Sequence, residues 1–231
     1  MPFHDRRDAG RRLIERLRGF RADDVVVLGV SGGGVPVAYE VATALRAPLD
    51  VAVVRKLPVP FQPRLAFGAI GENGIHVIDD EMVLRTFISD DERVRVAAEA
   101  REDLARSALR YRATHAPIPL TGATVIVVDD GVASGVTARA ACAVARAQGA
   151  SRVVLAVPVG SPRAIRILAR YVDNVICLET PQLFHSIAQW YQDFDDVTDG
   201  EIVGLLDRAA AFRGVSDLTT PPVGYATPPV G

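Results

Sequence analysis

The apolar positions of this chain fall in short closed runs separated by segments of helical spacing. Val25 to Val30 is a β-branched run ended by Ser31-Gly32-Gly33-Gly34. A run with no polar face predicts a buried strand, here one feeding a glycine loop. Leu49–Val54, Thr124–Val128, Val153–Val157 and Val175–Leu178 repeat the pattern. Val35 to Leu45 predicts a helix, with Pro36 tolerated in its first turn. Val136 to Gln148 predicts another, ended by Gly149. Pro162–Tyr171 and Asp199–Ala211 predict two more. Near the N-terminus, Leu13, Ile14 and Leu17 share one face among arginines, an amphipathic helix. Ser89 to Arg112 reads as a long charged helix, with Ser89 and Glu92 spaced as a capping box. Ala69 to Ile78 predicts a hairpin turning at Glu72-Asn73-Gly74. Arg55 to Phe67 is rich in proline and predicts an irregular functional loop or flap.

Strands alternating with helices predict an α/β fold: an open, mostly parallel sheet flanked by helices on both faces. In such sheets ligands bind beyond the carboxyl ends of the strands. The glycine loop, the Arg55-Lys56 segment and the Asp129 segment all follow predicted strands, so they are expected to meet at one edge. Residues 180–197 are aromatic and irregular. Residues 213–231 contain Pro-Pro-Val-Gly twice and predict a disordered Pro/Gly-rich tail. Deleting Thr219–Gly231 should leave the melting temperature unchanged within error; a drop of several degrees in a thermal scan would show that the tail packs.

Composition narrows the picture. The 231 residues are 49% hydrophobic and 23% charged, as in a globular domain. A net charge of −2 offers no electrostatic footprint for nucleic acid. No apolar run approaches a membrane span, and Met1–Arg12 lacks the apolar region of a secretion signal. A cytoplasmic setting without membrane or nucleic-acid partners is the expectation. Cys142 and Cys177 lie in a helical and a strand-like run and are expected to be small buried hydrophobes. Of the 26 basic residues, Lys56 alone is lysine. A lysine that persists in an arginine-biased chain is a candidate for a role.

The segment Thr124–Thr137 carries the clearest chemistry. An apolar strand delivers Asp129 and Asp130, and Gly131 permits a sharp turn. Ala133, Ser134 and Gly135 then lead through Val136 into Thr137 and an alanine-rich helix. Small side chains let backbone N–H groups approach an anion, and the helix N-terminus favours negative charge. A phosphate nest therefore stands beside two carboxylates. A sugar phosphate has the matching polarity: an anion at one end, vicinal hydroxyl donors at the other. A bare Asp-Asp-Gly is also a common turn; the strand before it and the small residues after it are what set this one apart.

Val127-Val128-Asp129-Asp130-Gly131-Val132-Ala133-Ser134-Gly135-Val136-Thr137 resembles the diphosphoribose-binding signature of type I phosphoribosyltransferases. Arg6-Arg7-Asp8-Ala9-Gly10, Gly33-Gly34-Val35-Pro36-Val37-Ala38, Val54-Arg55-Lys56 and Leu178-Glu179-Thr180-Pro181 resemble a bacterial branch of that family. The resemblance implies a phosphoribosyltransferase-like domain over residues 1–212, with 180–197 as a hood over the acceptor. It implies that Asp129 and Asp130 hold the ribose hydroxyls, and that the backbone from Ala133 to Thr137, with the Ser134 and Thr137 hydroxyls, holds the 5′-phosphate. It also implies 5-phosphoribosyl-1-diphosphate as donor, an acceptor nucleophile such as a nucleobase, and Mg²⁺ held mainly through the substrate rather than by direct protein ligands.

Three further segments are candidates. Gly32, Gly33 and Gly34 resemble the family's pyrophosphate loop, with Gly32 where relatives are expected to carry arginine. If the backbone at Gly32 has negative φ, Gly32→Arg should tighten diphosphate binding. The loop fits neither a P-loop nor the dinucleotide pattern, because Val35-Pro36 and Val37 occupy the required positions. Arg55 and Lys56 could neutralise the diphosphate, Lys56 as a compact point charge; Arg64 is a weaker candidate from the same segment. Phe184, His185, Trp190, Tyr191 and Phe194 could cover an acceptor, although a small satellite core is the simpler reading. His76 and His115 lack a partner in the sequence. The long Ser89–Arg112 helix could serve a homodimer. Two other activities fit the same residues: a non-catalytic sensor of the sugar diphosphate, favoured by Gly32, and a nucleotide or sugar-phosphate hydrolase. Acceptor-dependent pyrophosphate release separates transfer from both.

Overall fold

The computed structural model describes residues 2–20, 25–113 and 116–218. His115 and the tail Thr219–Gly231 lie outside the described residues. The centre is a parallel five-stranded sheet in the order β2-β1-β6-β7-β8. Its strands are β1 (Val25–Val30), β2 (Leu49–Ala52), β6 (Thr124–Val128), β7 (Arg152–Val159) and β8 (Asn174–Glu179). Val27 registers with Ile126, and Val127 with Leu155.

Side chains alternate across this sheet and close a core on each face. Val26, Leu28 and Val30 of β1, with Val125 and Val127 of β6, join α5 (Val136–Ala147) through Ala138, Ala141, Cys142 and Ala145. The alanines let the helix lie close to the strands. Val25, Val27, Ile126 and Val128 face the opposite core, built with α1 (Arg6–Leu17), α2 (Gly34–Leu45) and α7 (Asp199–Leu218). Leu13 and Leu17 of α1 are fully buried there, as the amphipathic pattern requires. Helix α7 runs on to Leu218, past residue 212. Helix α6 (Pro162–Leu168) follows β7.

A second sheet, β3 (Val54–Val59), β4 (Gln62–Gly71) and β5 (Ile75–Ile78), is antiparallel. The β4–β5 hairpin turns at Glu72–Gly74, as predicted. The irregular loop expected over Arg55–Phe67 is instead the β3–β4 hairpin. Leu57, Val59, Phe67 and Ile70 are buried against Ile88 and against Val96 and Ala100 of α4 (Asp90–Arg112). Prolines concealed that apolar row in the sequence. Pro58 sits where the strand register shifts, the place a missing N–H is best tolerated. Arg55 and Lys56 therefore belong to a strand.

Helix α4 begins with the predicted capping box. Ser89 Oγ accepts from Glu92 N–H at 3.3 Å, and Glu92 Oε2 accepts from Ser89 N–H at 2.9 Å. A short helix before it, α3 (Asp80–Thr86), was not foreseen; one or two turns are too few to show a period. Asp79 caps it by accepting from Met82 N–H at 3.0 Å. Cys142 is buried, but Cys177 is only half-buried, because β8 is left partly uncovered along its whole length. Among the described residues, no helix is long and apolar enough to cross a membrane.

Candidate active site

β6 ends in the two carboxylates, and the alternation of the strand separates them. Asp129 follows Val125 and Val127 toward the α5 face. Its charge is felt there by the Cys142 thiol, which burial chiefly pushes up to about 12. Asp130 follows Ile126 and Val128 toward the α1 face, where Arg6 Nε donates to its Oδ2 at 2.9 Å. Asp129 Oδ1 accepts from the Asp130 N–H at 2.9 Å. Only 7% of Asp129 and 8% of Asp130 is exposed, so both pay for desolvation. Burial, then the neighbouring Asp130 charge, drives Asp129 well above the usual carboxylate range. Burial also raises Asp130, against the opposing pull of Arg6 and Lys56.

The chain then forms an open nest. Val132 N–H donates to Val159 O and Ser161 N–H to Val132 O, both at 2.9 Å, which pins the loop to β7. Gly131 lies under Ile187, whose Cγ2 would be 2.8 Å from a Cβ. Gly135 at φ 85° caps α5 without a side-chain acceptor, and the first intrahelical bond runs from Arg139 N–H to Gly135 O. The N–H groups of Val136, Thr137 and Ala138 thus lack intrahelical acceptors. Ala133 and Ser134 are exposed beside them, and Thr137 is half-buried.

The glycine loop closes the other side. A Cβ on Gly33 would lie 1.8 Å from Asp130 Oδ2 and 2.7 Å from Arg6 Nε. One on Gly34 would lie 2.7 Å from Val128 O. Glycine is what allows this loop to touch the acid pair. Gly33→Ala should break the Arg6–Asp130 contact and lower the melting temperature; an unchanged value would show that the loop yields freely. Gly32 stands at φ 101° with nothing within 4 Å of its added Cβ. The negative φ on which the Gly32→Arg expectation depended is therefore not met, and the substitution would be strained. Gly32→Ala should cost about 1–2 kcal/mol in chemical denaturation without a clash. No loss would mean that the loop can adopt another backbone conformation.

Lys56 is exposed, and its charge reaches both Asp129 and Asp130. Arg55 braces the frame: it donates to Ser107 Oγ on α4, to Val54 O at 3.0 Å and to Ser31 Oγ at 3.4 Å. Arg55, Lys56, Ser31 and Thr137 line a cavity of about 510 Å³ with Glu99 and Asp103 of α4. Arg64 is exposed on β4. The structure thus brings the acid pair, the nest, the glycine loop and Lys56 to one strand edge.

The aromatic segment packs on the N-terminus. Phe3 N–H donates to Trp190 O at 2.7 Å, and Gln192 N–H to Phe3 O at 2.9 Å. Phe3, Ala9, Val159 and Tyr191 form a small core, the simpler of the two readings of this segment. It also touches the site. Tyr191 OH donates to the Asp130 carbonyl at 2.6 Å. Burial, chiefly, raises the Tyr191 pKa, which keeps that hydroxyl a donor. His185 is exposed. Sequence reasoning missed Arg6 as a partner of Asp130. The two are 124 positions apart, and no local spacing links them.

Residues 81–194 match the family model described as phosphoribosyl transferase domain. Over 207 residues, 90% of this chain, the sequence is 52% identical to proteins of Mycobacterium tuberculosis strains H37Rv and CDC 1551 / Oshkosh, each named "Putative phosphoribosyl transferase". The chain belongs to the phosphoribosyl transferase domain family. It spans about half the length of those curated relatives, 47% of each. The crystal structure of TT1426 from Thermus thermophilus is similar over 89% of this chain and 98% of that one, at 40% identity and a TM-score of 0.73. In this phosphoribosyl transferase domain, the matched region takes in the acid pair, the nest and the aromatic segment. Arg6, the glycine loop and Lys56 lie N-terminal to it.

Proposed function

We propose that the protein transfers a phosphoribosyl group from 5-phosphoribosyl-1-diphosphate to an acceptor nucleophile, releasing pyrophosphate. The observation that carries this reading is the paired Asp129 and Asp130 beside an uncapped helix N-terminus, with Lys56 across the same edge. The nest takes the 5′-phosphate, which accepts from backbone N–H groups and from the Ser134 and Thr137 hydroxyls. The acid pair takes the ribose hydroxyls, which donate to carboxylate oxygen. Lys56 faces the diphosphate as it leaves and gathers charge. The aromatic segment excludes water on the acceptor side. Among the described residues no three carboxylates, histidines or cysteines cluster to hold a metal ion, so Mg²⁺, which readily shares its shell with substrate phosphates, would be held mainly through the oxygens of the sugar diphosphate. Bound there, that ion would neutralise charge on the leaving diphosphate.

Isothermal titration tests the placement. Lys56→Ala should weaken 5-phosphoribosyl-1-diphosphate roughly tenfold, the low end for a charge-assisted contact because Lys56 is exposed. Ribose 5-phosphate, which lacks the diphosphate, should bind the variant like wild type. Equal weakening of both ligands would place Lys56 elsewhere.

A further inference from the structure

Arg6 joins parts of the molecule that are remote in sequence. Its Nε donates to Asp130 Oδ2 at 2.9 Å, with 12% and 11% of the two side chains exposed. Its Nη1 donates to the Asp195 carbonyl at 2.6 Å, and its Cζ lies 3.9 Å from the centre of the Phe194 ring. The glycine loop presses on the same contact at Gly33, and Tyr191 holds the Asp130 carbonyl. The start of α1, the glycine loop, Asp130 and the aromatic segment therefore converge on one guanidinium. Asp129 is not bonded to Arg6; it accepts from the Asp130 N–H and lies on the face of α5, beside the nest.

We propose that Arg6 is a positioning residue that divides the labour of the acid pair. It holds the Asp130 carboxyl turned toward the aromatic segment, and it leaves Asp129 to accept from the ribose hydroxyls. This rests on the phosphoribosyl-transfer reading. The groups around Asp130 that also set its charge are Asp129 on its own loop, Lys56 on β3 and Tyr191 on the aromatic segment, with Asp8 on α1 close to Tyr191. Arg6 is the cation in contact with it. Without Arg6, Asp130 would be more easily protonated beside Asp129. Because Arg6 also grips Asp195 and Phe194, its bond to Asp130 makes the aromatic segment respond when the acid pair is engaged. Trp190, the one tryptophan of the sequence, sits in that segment as a natural reporter.

A double-mutant cycle tests the proposal. Binding of Mg²⁺-loaded 5-phosphoribosyl-1-diphosphate would be titrated from pH 5 to 8.5 for wild type, Arg6→Gln, Asp130→Asn and the double variant, with Trp190 fluorescence as a second readout. Arg6→Gln should weaken binding about tenfold at pH 7, move the pH midpoint of binding upward and abolish the ligand-induced change at Trp190. Arg6→Lys, which keeps the charge, should restore the midpoint. Since Arg6 acts through Asp130, the double variant should bind no more weakly than Asp130→Asn alone. That comparison holds even where Arg6→Gln fails to fold, because the double variant leaves no unpaired charge at the Arg6–Asp130 contact. A further loss in the double variant equal to that of Arg6→Gln would overturn the proposal, as would an Arg6→Gln midpoint matching wild type. Both outcomes leave wild-type binding intact and so spare the transfer reading. Wild type that fails to bind would remove that reading, and this proposal with it.

Discussion

Asp129→Asn should weaken Mg²⁺-loaded 5-phosphoribosyl-1-diphosphate by one to two orders of magnitude and, at pH 7, raise the melting temperature. The affinity loss follows from removing a charged acceptor, at about 1.5–3 kcal/mol per hydrogen bond to an ionised group. The gain in stability has the opposite sign for a separate reason. Burial and the Asp130 charge raise the folded pKa of Asp129 above its unfolded value of about 3.9. Between those two values the folded state holds the extra proton, so stability falls as pH rises through that window. Above it, the native protein carries the full cost of a buried anion. Asparagine removes the cost and can still accept from the Asp130 N–H through Oδ1. Thermal scans from pH 4 to 8 should therefore show the variant's advantage growing with pH. A variant that is both less stable at pH 7 and normal in binding would make the motif a turn.

Arg6→Ala should destabilise the fold by about 3 kcal/mol, the low end for breaking a buried ion pair by removing one partner. The loss comes from Asp130, left charged at 8% exposure with no cation in contact. Losing the stacking on Phe194 and the bond to the Asp195 carbonyl adds to it. Adding Asp130→Asn should recover much of the loss, since the uncompensated charge is then gone. Urea denaturation of the single and double variants checks both parts. A loss under about 1 kcal/mol for Arg6→Ala would mean that the pair behaves as a solvent-screened surface contact.

The central strands β1, β6 and β7 were legible because each is an almost closed β-branched run, and strands buried on both faces show no polar alternation to confuse. The capping box at Ser89 and the turn at Glu72–Gly74 were legible because both are set by local chemistry. The β3–β4 hairpin was not. Its inward residues, Leu57 and Val59, are interleaved with Pro58, and what fixes them is packing against α4, some forty residues away in sequence. The acid pair could be found in the sequence, with its two residues expected to differ, because alternation along a strand is certain. Which carboxylate faces which partner could not, since Arg6 meets Asp130 only after α1 has packed on α2 and β7. The φ of Gly32 was beyond reach for the same reason: a run of three glycines permits many backbones, and tertiary contacts at Gly33 and Gly34 select one.

Pyrophosphate release from Mg²⁺-loaded 5-phosphoribosyl-1-diphosphate, followed with a panel of nucleobases and amines, tests the assignment of phosphoribosyl transfer most directly. Release should require one class of acceptor and should fall at least tenfold in Asp129→Asn. Release that proceeds equally without any acceptor, or tight binding of the sugar diphosphate with no release under any acceptor, would contradict it.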